Sequence, residues 1–428
     1  MSVLYKKFTL LAVVFYFVFF TAEVYAYQLP ATVDAGIFYG SSASAEFAVK
    51  ASSVFNSSGE LIYASNYSCS FSVANSGDDV VRVFLDGAEV CSGESALLFE
   101  ADDGITAVSG KSYRGKIKAA AYKGKLVIIN RVGLEDYVKG VIAKEMSPSW
   151  HIEALKAQAV CARNYVITQL GRHGSSGFDV CCSEHCQVYG GLDAETESTN
   201  LAVEQTSNVI ALYDGKPATL FFSAAAGEMT EDVRYVWGSA VPYLVSVSSL
   251  ESEKNPYYRW EYRVSRDKAT KLLASYGLGD ITDISIVETS PSGAVTKLLV
   301  SGTFGEKLFT LEGTRTVFGY GALKSQAYTL EKGASGMFAV TSGGVVGLTS
   351  FCILDSDMNK NTAPSSCFAV SSDGKTAVTL YSGEGDFVFK GRGFGHLVGL
   401  SQYGAYEMAK SGFGYADIIK HYFKGVDL

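Results

Sequence analysis

Residues 134–170 read LEDYVKGVIAKEMSPSWHIEALKAQAVCARNYVITQL. Apolar side chains fall at 134, 137, 138, 141 and 142, the spacing of one helix face. Pro148 cannot continue that helix, because it lacks an N–H and clashes with the preceding turn. Ser149 is placed to cap a second helix, with Glu153 in its first turn. Apolar positions 152, 155, 159, 162, 166 and 170 then predict one stripe along that helix. The expected result is a helix–Pro–helix corner with Glu145 at its elbow. Glu145 has two readings there. It is either a solvated helix end or a general acid, desolvated by Met146, Pro148 and Trp150 so that it holds a proton near neutral pH.

Outward from this corner the pattern changes. Residues 29 to 128 carry short alternating or apolar runs broken by Gly, Asn and Asp, such as VVRVFLDG and KLVIINRV, which predict strands. A helix is expected over 195–206, a hairpin around Asp214-Gly215 and a helix in RDKATKLLASYG. Helices grouped apart from strands give an α+β class: a strand-rich domain with the catalytic corner, plus a peripheral β-rich insertion. The expected divisions are a targeting segment at 1–26, a β-rich region at 27–113, a core at 114–333, an insertion at 334–385 and the rest of the core at 386–428.

The chain has 428 residues, of which 47% are hydrophobic and 19% charged, with a net charge of -8. No block of Lys and Arg stands out, which argues against a nucleic-acid partner. Lys6 and Lys7 precede an apolar run from Phe8 to Ala22, too short for a span of about 20 residues. Val24 and Ala26 stand at the small-residue cleavage positions. The expectation is an exported protein with its signal cut after Ala26, an uncleaved anchor being the alternative.

Export permits disulfides. Cys69 with Cys91, and Cys352 with Cys367, lie at hairpin-like separations and are candidate pairs. Cys161, inside a helical pattern, is read as a buried small residue. CCSEHC at 181–186 is different, since thiolates and imidazoles at short spacing are ligands that zinc prefers. With His173 upstream, the candidate set is His173, Cys181, His185 and Cys186, with Cys182 as a substitute for Cys181. Four protein ligands would make a closed structural site. A disulfide among 181, 182 and 186 is the alternative. GRGFGHLVGLSQYGA, Gly391–Ala405, gathers His396, Ser401, Gln402 and Tyr403 among glycines and is not a phosphate loop. Ser223 and Ser401 lack a nucleophile-elbow signature.

These runs resemble the family of stage II sporulation protein D and the amidase enhancer LytB. LEDYVKGVIAKEMSPSWHIEALKAQAVCARNYV looks like the family's block around its E-M pair. CQVYGG, ATLFFSAAAGEMTEDVRYVWGSAVPYL and the glycine-rich ending follow in family order, from about Arg114 to Lys424. Ser147 and His151 stand where the family has Pro, Leu397 where it has Gly, and FFSAAAGE lacks the usual His. The resemblance implies a lytic transglycosylase acting on peptidoglycan glycan strands stripped of stem peptides, with Glu145 as the catalytic acid. It implies structural zinc in the loop that carries His173, Asp179, Cys181, His185 and Cys186. A cell-wall amidase and a membrane scaffold would be partners. Gln158 and Arg163 on the second helix, Gln187 and Tyr189 after the metal loop, and Ser223, His396, Ser401 and Gln402 are then candidates for holding sugar. A non-catalytic amidase enhancer is the competing reading.

Overall fold

The computed structural model describes residues 27–40, 46–75, 77–332 and 386–428 in full, and six strands between 336 and 383 by their backbone. The segment 1–26 and the pair Cys352/Cys367 lie outside the described residues. Among the described residues no helix is long and apolar enough to cross a membrane.

The front of the chain folds into β1 (Thr32–Phe38), β2 (Glu46–Asn56), β3 (Leu61–Ala74), β4 (Val81–Leu85) and β5 (Ala88–Glu94). It continues through β6 (Ala96–Glu100), β7 (Ile105–Val108), β8 (Lys111–Arg114), β9 (Lys116–Tyr122) and β10 (Lys125–Gly133). With the short β11 (Val180–Cys181) these form one 11-stranded sheet, in which the expected boundary at 113/114 is not a break. β10 is apolar at nearly every position from Leu126 to Ile129, as a strand covered on both faces must be. Cys69 and Cys91 are both free. Strand β4 runs between β3 and β5, and Cys91 aligns through Val83 with Val73 rather than with Cys69, so the two residues sit more than two strand spacings apart, over about 10 Å. That is beyond disulfide reach.

β10 runs directly into α1 (Leu134–Glu145), which is followed by α2 (Ile152–Thr168) and α3 (Glu197–Glu204). The expected corner is present, with two corrections. The cap of α2 is His151, whose ring accepts from the Glu153 N–H, while the Ser149 hydroxyl pairs with Ser147. The single stripe is also incomplete. Leu155, Val160 and Val166 are fully buried, and so are Ala154, Ala157, Ala159, Cys161 and Ala162. A helix so rich in small residues is approached closely from every side, here by α1, α3 and the two C-terminal helices. Arg163 ties the corner: its guanidinium donates to Glu135 at 2.9 and 2.6 Å and to the Val209 carbonyl at 3.0 Å.

The middle of the chain adds α4 (Arg234–Trp237), α5 (Arg266–Leu272) and α6 (Gly313–Thr316). A second hydrophobic core, from Trp260 to Phe389, sits under two three-stranded sheets. The Asp214-Gly215 turn joins strands of only two residues each. After the glycine-rich loop come α7 (Gln402–Lys410) and α8 (Tyr415–Tyr422), which pack on α2 in the first core.

Candidate active site

Glu145 is the last residue of α1, and Met146 leaves it in an extended conformation. The negative end of the helix dipole disfavours a charge there. The half-buried side chain enters a cleft of about 810 Å³. One wall comes from the first core: Glu145, Tyr165, Gln187 and Val188. Phe221 and Phe222 also pack on that core, and the rest of the lining comes from Trp237, Glu312, Arg315, Tyr320 and the loop Phe394–His396. Burial pushes the Glu145 carboxyl up to about 7. The Val188 N–H and the Gln402 amide donate to its two oxygens and pull the other way, while nearby Glu184 pushes up. Those bonds are 3.4 and 3.5 Å long, too stretched to offset desolvation. Met146, Pro148 and Trp150 do not line the cleft. Trp150 packs on Tyr403 and Tyr406 instead.

The cleft floor is held by a parallel pairing of Phe222–Ser223 with Leu400–Ser401. Gly395 crosses here at φ 117°, and a Cβ on it would lie 2.6 Å from that of Ser223, so only glycine fits. His396 accepts from the Val398 N–H at 3.0 Å through Nδ1, and burial pulls its pKa down to about 4, which leaves it neutral near pH 7.

Beside Glu145 the segment around β11 gathers His173 before the strand, Cys181 at its end, and His185 and Cys186 after it. Their ligand atoms all lie within 4.8 Å of one another, so this His/Cys cluster can hold a metal ion. His173 Nε2 is 3.3 Å from Cys186 Sγ, and His185 Nδ1 is 3.7 Å from Cys181 Sγ and 3.6 Å from Cys186 Sγ. Hydrogen bonds from Cys186, Ser183 and Tyr39 hold the Cys181 thiol well below the usual thiol range, despite burial. Cys182 is not in the set, since its thiol faces the Ile37 carbonyl. Cys181, Cys182 and Cys186 are all free, which removes the disulfide alternative in this structure. β11 pairs with β1, and Asp179 accepts from the Asp34 and Gly171 amides, which anchors the loop.

The family model described as stage II sporulation protein matches residues 122–213, and a domain family of unknown function matches 239–347. An uncharacterized protein of Brachyspira hyodysenteriae is 30% identical over 352 residues, 81% of this chain and 80% of that protein. The stage II sporulation protein D of Bacillus subtilis is 29% identical over 315 residues, covering 70% of this chain and 75% of that one. The chain belongs to the SpoIID family. The amidase enhancer of Bacillus subtilis is 30% identical over 68% of this chain, which spans only 40% of that longer protein.

The matched SpoIID block carries Glu145 and the metal loop, but it omits the opposite wall of the cleft. Of the sugar-binding candidates, Gln187, Ser223, His396 and Gln402 line the cleft with Glu145. Four others do not. Gln158 is fully buried in α2, and neither amide atom has a partner. Arg163 is fully buried against Glu135. The Tyr189 hydroxyl donates to Asn130 at 2.6 Å while its ring stacks on Tyr137. A Cβ on Gly140 would lie 2.4 Å from that ring, so the helix and the loop meet only because residue 140 has no side chain. Ser401, fully buried, donates to Glu251 at 2.6 Å and caps α7. Arg163, Tyr189 and Ser401 hold the site's frame, while Gln158 only fills the helix core. Sequence reading missed Tyr165, Trp237, Glu312, Arg315 and Tyr320. Tyr165 and Trp237 stood in quoted runs, but the other three had no motif around them.

Proposed function

We propose that this SpoIID-family protein is a peptidoglycan lytic transglycosylase, exported and acting in sporulation as the names of its stage II sporulation protein D relatives suggest. The supporting observation is Glu145: a carboxyl that holds its proton to about pH 7, facing a cleft lined by aromatic and polar groups. Hydrolysis of a glycosidic bond usually employs two carboxylates. A lytic transglycosylase works with one. Protonated Glu145 gives its proton to the oxygen linking N-acetylmuramic acid to N-acetylglucosamine, and the C1–O bond breaks. The carboxylate then accepts the proton of the muramic C6 hydroxyl as that oxygen bonds to C1. A 1,6-anhydro end results, and no water is consumed. The Val188 N–H and the Gln402 amide stand ready to stabilise the carboxylate in between. Trp237, 37% exposed in the cleft, offers a ring face for a sugar.

His173, Cys181, His185 and Cys186 fit zinc by donor type and mutual distance. With all four positions filled, the ion would cross-link the loop that presents Val188 to Glu145. A cell-wall amidase and a membrane scaffold are the proposed partners. The amidase-enhancer relative favours a second reading, a glycan-binding protein that stimulates an amidase without cutting. Digestion of purified peptide-free strands with mass analysis separates the two. We expect anhydro-muramic ends, lost in Glu145→Gln with the fold retained. Intact strands together with a stimulated amidase would support the second reading instead.

A further inference from the structure

Arg315 is only 7% exposed, yet it borders the cleft that holds Glu145. It sits on the short α6, and its Nε donates to the Leu323 carbonyl at 3.3 Å. The Tyr320 ring lies against the guanidinium, 4.6 Å from its centre. Among the described residues no carboxylate comes within ion-pair distance of it. Glu312, in the same wall, accepts instead from the Tyr320 hydroxyl at 3.0 Å. The two terminal nitrogens of Arg315 therefore carry donors that no protein group takes up. A guanidinium keeps its charge even when burial lowers its pKa, as it does here. The terminal nitrogens are not sealed from solvent but border the cleft, where a ligand that supplies an anion gives them the partner the protein does not.

The substrate class proposed above, on which this inference rests, is uncharged along its sugar backbone. Its anionic group is the lactyl carboxylate on O3 of muramic acid. That group is an anion only where no stem peptide is joined to it; with a peptide attached it is a neutral amide. We infer that Arg315 reads the free lactyl carboxylate of peptide-stripped muramic acid and so selects stripped strands for the cleft. The planar fork of a guanidinium matches both oxygens of a carboxylate at once, whereas an amide offers one acceptor and no charge.

Binding to the catalytically silenced Glu145→Gln protein tests this apart from any cleavage. The probes are peptide-free glycan chains with free lactyl carboxylates, and the same chains with those carboxylates converted to methylamides. Glu145→Gln should bind the carboxylate form about tenfold or more tightly. Adding Arg315→Gln should abolish that preference by weakening the carboxylate form while leaving the methylamide form unchanged. Arg315→Lys should keep part of it. Equal affinity of the Glu145→Gln protein for the two probes overturns the inference without needing any Arg315 variant. Equal loss on both probes in Arg315→Gln also overturns it, as the mark of a packing role. A protein that never cleaves but shows the preference would sink the transglycosylase reading and leave Arg315 standing.

Discussion

Glu145 carries its high pKa because burial, and its place at the end of α1, both disfavour the anion. The reaction begins with the protonated form, so kcat/KM should fall through a single ionisation near pH 7 as the medium becomes alkaline. A profile flat from pH 5 to 9 would contradict that role. The same shift has a stability consequence. Below the unfolded pKa both states hold the proton and Glu145 contributes nothing. As pH rises towards 7 the folded state retains a proton that the unfolded state releases, so stability falls, by no more than about 3 kcal/mol, and then levels. Glu145→Gln should therefore be more stable than the parent above pH 7 and equal to it near pH 4 in urea unfolding. Gln158 makes the opposite case for a polar residue that the motif singles out. With its amide buried and unpartnered, Gln158→Met should raise unfolding free energy by about 1 kcal/mol or more. A loss of stability would show that the amide has a partner in solution.

At the scale of elements, the corner α1–α2 and the metal loop act together. The loop is anchored by β11 on β1, closed by four side chains, and delivers the Val188 N–H to Glu145. One zinc per chain should copurify, and removing it with a chelator, or Cys186→Ser, should lower the thermal midpoint and the yield of anhydro product together. A metal-free chain with an unchanged midpoint would refute the structural role. Much of this scale was legible in sequence. Helical spacing, Pro148 and the Cys/His run mark the corner and the loop. What escaped was direction. Spacing places Gln158, Arg163, Tyr189 and Ser401 on the right elements but does not say that their polar atoms turn inward, towards Glu135, Asn130 and Glu251 for the last three. The cap of α2 escaped for a similar reason, since an imidazole at 151 did the work expected of the hydroxyl at 149.

Across the whole molecule, the cleft forms where the first core, with Glu145 and Gln402, meets residues from the part of the chain around the second. Glu312, Arg315 and Tyr320 reach it from about 170 residues further along, on α6 and the turn after it. Such long-range juxtaposition has no periodicity to read, so half of the site was invisible until the fold was known. In the roles proposed, Glu145 and Arg315, among several charged groups that line the cleft, divide the work: one handles a proton, the other a charge. The central claim is that this single acid cuts a glycan without water. It is tested most directly by digesting peptide-free strands in heavy-oxygen water and weighing the fragments. The account predicts anhydro-muramic ends free of heavy oxygen. Reducing ends that carry the label would contradict it.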